Sequence, residues 1–192
     1  MNVRAAIFTR WPEPGRCKTR LIPALGAEGA AALHKKLVEK TVETVRSSGV
    51  PFELWVTGAP VSDFQNWLGD LTIHQQAEGD LGARLLAAAA PYPVFFLGTD
   101  APGLTPDLVQ DAANALAQGN YVIGPAADGG YWTLGLPQPA DDLFSDIPWG
   151  TAQVFEITRE RLLQRQRHFN VLPTLDDIDK PEDLSRCAAL IP

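Results

Sequence analysis

Short apolar runs that alternate with longer helical patterns constrain this chain more than any other feature. Val3–Phe8, Phe52–Thr57, Leu71–His74, Val94–Leu97 and Phe169–Leu172 read as strands. Between them, Gly26–Ser48 carries Leu33, Leu37, Val38, Val42 and Val45 at three-to-four spacing, the signature of one buried helical face. Val61–Leu68, Leu81–Ala90, Pro106–Ala117, Thr151–Gln166 and Pro181–Ala189 read as further helices, with Asp80 and Thr105 placed as N-caps. Tyr121–Gly124 and Tyr131–Leu136 flank Asp128-Gly129-Gly130, a hairpin turn signal. This alternation predicts an α/β fold, with a mostly parallel, twisted sheet and helices on both faces. The 192 residues suit a single domain spanning 1–192. Such sheets bind ligands beyond the carboxyl ends of their strands, so the loops there are the candidate sites.

Charge narrows the function. The net charge of −7 argues against general nucleic-acid binding. Residues 1–50 hold nine Lys/Arg and four Asp/Glu, whereas residues 51–192 hold seven and nineteen. No apolar run is long enough for a membrane span. The start of the chain is too short for a signal peptide, and Cys17 and Cys187 lack paired spacing. A cytoplasmic protein is expected.

Four segments carry candidate chemistry. The loop Thr9–Leu21 follows the first strand and holds Arg10, Arg16, Lys18 and Arg20 around Pro12, Pro14 and Gly15. Guanidinium forks and a lysine point charge suit phosphate oxygens, although solvated charges on a Pro-rich loop are the plainer reading. The segment lacks the spacing of a Walker A loop. Asp100 follows the Val94–Leu97 strand, where a hard carboxylate suits Mg²⁺ or Mn²⁺. It also suits a simple turn before Pro102. The turn Asp128-Gly129-Gly130, with Tyr131, is a hairpin that also permits close approach of a substrate. Finally, Asp176, Asp177 and Asp179 precede a Pro-started helix. The helix dipole explains acidic residues there, and Asp177 or Asp179 is the candidate second metal ligand. Arg84 is the sole Lys or Arg between Arg46 and Arg159 and reads either as a carboxylate partner or as a phosphate contact. His34, His74 and His168 fall in no ligand or triad spacing.

In order along the chain, these segments resemble a known family. Arg10–Leu21 matches the pattern K-x-P-x-P-G-x-x-K-T-R-L, and further matches lie at Gly79–Arg84, Gly98–Leu104, Gly124–Leu136, Ile147–Thr151 and Asp177–Leu184. The chain resembles the bacterial glycosyltransferase-A-like family of the nucleotide-diphospho-sugar transferase superfamily. More distantly, it is similar to phospholactate guanylyltransferase and the molybdenum-cofactor nucleotidyltransferases. The resemblance implies a Rossmann-like glycosyltransferase-A fold and a metal-dependent transferase acting on a nucleotide-activated donor. It implies Asp100 as metal ligand and Lys18 on phosphates. The expected site comprises Lys18, Asp100 and Asp128 for catalysis, and Arg10, Pro14, Gly15, Lys18, Arg20 and Arg84 for the nucleotide. Asp100, Asp177 and Asp179 are expected at a divalent metal, and Asp128, Gly129, Gly130, Tyr131 and Trp149 at substrate. Arg10 replaces the usual Lys, Lys180 replaces the usual Thr, and Gly98-Thr99-Asp100 lacks an Asp-x-Asp pair. Glycosyl transfer is the leading expectation, with nucleotidyl transfer and a non-catalytic nucleotide-binding module as alternatives.

Overall fold

The computed structural model describes residues 2–191. Seven strands form one sheet: β1 (Arg4–Arg10), β2 (Phe52–Thr57), β3 (Ile73–Gln75), β4 (Val94–Leu97), β5 (Tyr121–Pro125), β6 (Tyr131–Leu136) and β7 (Phe169–Val171). Their order is β3-β2-β1-β4-β6-β5-β7. Every pairing is parallel except the two made by β6, which runs against β4 and β5. Ile7 faces Leu54 on one side and Leu97 on the other. The unbroken apolar character of β4 follows from this central place, since strands covered on both faces need no polar alternation.

Five α-helices cover the sheet: α1 (Ile22–Ser48), α2 (Val61–Leu68), α3 (Leu81–Ala88), α4 (Pro106–Ala117) and α5 (Val154–Gln164). Alternate residues of the central strands enter opposite cores. Ala5, Ile7, Phe95 and Leu97 pack with Val38 and Val42 of α1, Phe64 of α2 and Val109 of α4. Ala6, Val94, Phe96 and Leu134 pack with Leu85 of α3 and Leu162 of α5. Each fully buried Leu or Phe contributes roughly 1.5–3 kcal/mol. A smaller cluster joins Leu21, Leu33 and Leu37 to Ile178 and Cys187, tying the first loop to the end of the chain.

Several boundaries differ from the sequence reading. Helix α1 begins four residues before Gly26, with Pro23 in its first turn, and is interrupted at Gly26 (φ 71°, ψ 169°). The apolar periodicity starts only beyond that break. Thr151–Gln153 is a turn and not the start of α5: the Thr151 hydroxyl donates to the Pro148 carbonyl and accepts from Gln153 N–H. The helix expected over Pro181–Ala189 is present as a 3₁₀ helix, Pro181–Leu190, broken at Cys187. The N-cap expectations hold, since Asp80 accepts from Ala83 N–H at 2.8 Å and Thr105 from Leu108 N–H at 3.3 Å.

Candidate functional site

All strands except β6 end at one edge of the sheet, and β6 begins there. That edge therefore gathers the loop after β1, the Gly98–Leu104 loop after β4, the β5–β6 turn and the Leu175–Lys180 segment. The last segment is stitched on by backbone bonds: Ile178 N–H donates to the Asp100 carbonyl at 2.9 Å and Ala127 N–H to the Leu175 carbonyl at 3.0 Å.

Two clefts open at this edge and meet at Asp100. The β1-side cleft, about 270 Å³, is walled by Thr9, Arg10, His34, Gln76 and Arg84. The hairpin-side cleft, about 230 Å³, is walled by Asp128, Tyr131, Trp132, Trp149 and Asp177. Leu81, Gly98 and Asp100 line both. A third, more polar hollow of about 310 Å³ continues past Asp128 and Asp177 toward Arg20, Asp179 and Lys180.

The cations of the first loop do not converge. Lys18 adopts a left-handed conformation (φ 47°, ψ 41°), which turns its side chain inward. Its side chain is 4% exposed, and the ammonium pairs with Asp100 Oδ1 at 2.7 Å and donates to the Ile178 carbonyl at 2.5 Å. Lys18 therefore holds the aspartate and does not line the β1-side cleft. Arg10 does line it, and donates to the Arg16 carbonyl at 2.7 Å, which closes the loop on itself. Arg16 pairs outward with Glu13, and Arg20 pairs with Asp179 at 2.5 Å in the third hollow. Pro14 and Gly15 are exposed and line none of these three clefts among the described residues. They shape the loop from outside.

The carboxylates divide in a similar way. Asp100, Asp128 and Asp177 share the hairpin-side cleft, whereas Asp179 sits in the third hollow against Arg20. Burial pushes the Asp177 carboxyl above its ordinary range, and Asp128 and Asp179 push it further. Asp128 Oδ1 accepts from Gly130 N–H at 2.8 Å, which fixes the turn. Gly129 (φ 90°) faces away from the cleft: a Cβ there would lie 2.3 Å from the Ala152 carbonyl oxygen. Its carbonyl accepts from Phe155 N–H at 3.0 Å, so it docks the hairpin onto the start of α5. Gly130, Tyr131 and Trp149 do line the cleft. The Tyr131 and Trp149 rings meet edge to face at 6.4 Å. The Tyr131 hydroxyl and the Trp149 indole N–H are buried without a protein partner, and burial drives the Tyr131 phenol far above its usual range.

Two residues of the β1-side cleft were not foreseen. His34 lies on the buried stripe of α1, between Leu33 and Leu37, and its Nε2 bonds the Arg10 carbonyl at 3.1 Å. Its Nδ1 has no protein partner, and burial holds the imidazole below its usual pKa. A polar residue at an apolar-stripe position was the available signal. Gln76, just past β3, donates to the Thr9 and Trp55 carbonyls at 3.0 and 2.9 Å and accepts from Arg84 at 3.3 Å. It buttresses Arg84, whose Nε also donates to the Gly79 carbonyl. Nothing in its sequence context marked it.

Residues 41–151 match the profile of a family described as "Uncharacterized protein conserved in bacteria", DUF2064. The chain belongs to this family. The match takes in Arg84, Asp100, Asp128 and Trp149 and leaves the first loop and Asp177 outside it. No curated protein is significantly similar to the chain in sequence. Among solved structures, the chain is similar to a protein of Desulfovibrio desulfuricans that carries the provisional name nucleotide-diphospho-sugar transferase. The two share 28% identity over 100% of this chain and 97% of that one, with a TM-score of 0.88. It is also similar to CMP:2-keto-3-deoxy-manno-octonic acid synthetase complexed with CTP, at 12% identity over 99% and 98% with a TM-score of 0.59. A third likeness is to 4-diphosphocytidyl-2C-methyl-D-erythritol synthase of Anaerococcus prevotii, at 13% identity over 98% and 95% with a TM-score of 0.64. The fold is that of the nucleotide-diphospho-sugar transferases, as the motif resemblance implied.

Proposed function

We propose that this DUF2064 chain is a metal-dependent transferase whose nucleotide-activated donor lies in the β1-side cleft and whose acceptor lies in the hairpin-side cleft. The observation that carries the reading is Asp100, a half-exposed carboxylate at the junction of the two clefts. Arg10 and Arg84 line the donor side and are the residues suited to phosphate oxygens. Among the described residues, no three His, Cys, Asp or Glu side chains form a ready-made metal cage. Mg²⁺ is nonetheless commonly held by one or two carboxylates together with substrate phosphates. Asp100 and Asp177 both line the hairpin-side cleft and fit that pattern. Asp179 is committed to Arg20, which favours Asp177 as the second ligand. A cation held there would neutralise charge on the departing group.

The chain's own residues supply the rest. Lys18 and the Ile178 backbone fix Asp100 in place before substrate arrives. Asp128 lines the hairpin-side cleft and in this reading takes the acceptor's hydroxyl proton. Glycosyl transfer is the leading reading, supported by the name of the 28% identical relative. Nucleotidyl transfer is the second. The single carboxylate of Gly98-Thr99-Asp100 favours it, as do the two nucleotide-joining synthases of similar fold.

A thermal-shift screen of nucleoside triphosphates and nucleotide sugars, with and without Mn²⁺, tests the donor site. Phosphorus NMR of the stabilised mixture then distinguishes nucleoside diphosphate from pyrophosphate. Stabilisation without either product would identify a binding module, and stabilisation by no nucleotide would overturn the reading.

A further inference from the structure

The hairpin-side cleft carries information about what enters it. Its wall combines three carboxylates, Asp100, Asp128 and Asp177, with Tyr131, Trp132 and Trp149. No Lys, Arg or His lines it among the described residues. Lys18 stands behind Asp100, 4% exposed and already shared between that carboxylate and the Ile178 carbonyl. The nearest other cations belong to the adjoining hollow. There Arg20 is held by Asp179, and Arg186 by Asp183 at 3.1 Å and Asp176 at 3.4 Å, while Lys180 lines that hollow and not the cleft. An anionic group in the cleft would thus face carboxylates with no side-chain cation in its wall, and the divalent cation proposed for Asp100 and Asp177 would offset two of the three charges and leave Asp128 facing it; such a like-charge juxtaposition costs several kcal/mol.

The aromatic wall points the same way. Three rings offer flat apolar surface suited to the C–H face of a ring or short carbon chain. The Tyr131 hydroxyl and Trp149 N–H are buried and present no polar atom to the cleft. At about 230 Å³ the space lies below the roughly 300–1,000 Å³ of drug-sized sites, so the part of an occupant that sits here is small.

We propose that the hairpin-side cleft receives a small hydroxyl compound that is uncharged or cationic and has an apolar face, and that it rejects phosphorylated and carboxylated compounds. The proposal builds on the reading that transfer crosses Asp100, and it gives that reading an acceptor class.

Three probes of one skeleton test it: D-glucosamine, D-glucose and D-glucose 6-phosphate. Binding is read by saturation-transfer NMR at pH 7 with divalent cations chelated. D-glucosamine is expected to bind at least about tenfold more tightly than D-glucose 6-phosphate, with D-glucose between them. In Asp128→Asn/Asp177→Asn the spread should shrink to within about threefold. Asn at 128 keeps the oxygen that accepts from Gly130 N–H, and near-UV circular dichroism confirms that the variant is folded. Binding of D-glucose 6-phosphate as tightly as D-glucosamine would overturn the proposal. An order unchanged in the double variant, or no binding by any of the three, would do the same. The nucleotide screen is independent. If nucleotides fail to stabilise the protein while the sugar order holds, the donor reading falls and the charge selectivity stands.

Discussion

Lys18→Met separates two accounts of the first loop. Methionine keeps a long apolar stem and pays the same left-handed backbone cost as lysine, so the change isolates the ammonium. Two contacts vanish, one to Asp100 at 2.7 Å and one to the Ile178 carbonyl at 2.5 Å. Hydrogen bonds to charged groups are worth roughly 1.5–3 kcal/mol each. The Asp100 side chain is 51% exposed, so water recovers most of its share. The Ile178 carbonyl loses its cation, and a buried polar group left unpaired costs about 1–3 kcal/mol. Removing a nearly buried ammonium returns some desolvation energy. The expected net loss is about 1–3 kcal/mol, or a melting temperature lower by roughly 2–12 °C for a chain of this size.

Thermal unfolding followed by circular dichroism measures the loss in the absence of nucleotide and metal. Amide hydrogen exchange locates it: Ile178 N–H, bonded to the Asp100 carbonyl, should exchange faster. If Lys18 serves as a phosphate ligand and not as a strut, the variant melts with the wild type and loses only nucleotide affinity. An unchanged melting temperature with unchanged exchange at Ile178 would falsify the strut.

Three more outcomes follow from the same geometry. Gly129→Ala forces a Cβ to 2.3 Å from the Ala152 carbonyl oxygen at a left-handed φ, and should cost at least about 2 kcal/mol in urea unfolding. Asp100→Ala should lower turnover about 10²–10³-fold in whichever transfer reaction is detected by phosphorus NMR; a variant within twofold of wild type removes Asp100 from the chemistry. Asp177→Asn should stabilise the protein at pH 7. The folded carboxyl holds its proton more tightly than the unfolded one, so wild-type stability falls as pH rises from the ordinary value of 3.8 through the raised folded pKa. The gain in the variant should therefore vanish below that window. Mn²⁺ should reverse the order by stabilising the wild type more, and an equal Mn²⁺ effect on both proteins would remove Asp177 as a ligand.

Local chemistry made much of the fold legible. Val94–Leu97 and Pro106–Ala117 appear with the boundaries their residues suggested, because an unbroken apolar run and a Thr–Pro cap are complete within the segment. The ends of other elements slipped where a neighbour decides them. Thr9 and Arg10 extend β1 because Val56 and Thr57 of β2 supply partners. Ile22 to Leu25 are helical although the apolar stripe begins only after Gly26. Strand order was out of reach. Asp128-Gly129-Gly130 announces a hairpin, but nothing local says that β6, and not β5, inserts beside β4. That insertion brings Tyr131 and Asp128 to the edge where β1 and β4 end.

The first loop shows what composition leaves open at the site. Four cations in eleven residues suggest one phosphate clamp, yet a chain turning through a left-handed residue sends neighbouring side chains in unrelated directions. Arg10 and Arg20 end up in different clefts, and Lys18 ends up behind a carboxylate that lies eighty-two positions on in sequence. Arg10 and Arg84 are the arginines that line the β1-side cleft, with Gln76 bracing the latter. The cation-rich segment contributes mainly order. Its lysine neutralises the half-exposed Asp100, which lines both clefts, from the buried side. A carboxylate held in this way is ready before ligand arrives, and the cost of fixing it is met during folding and not during each turnover.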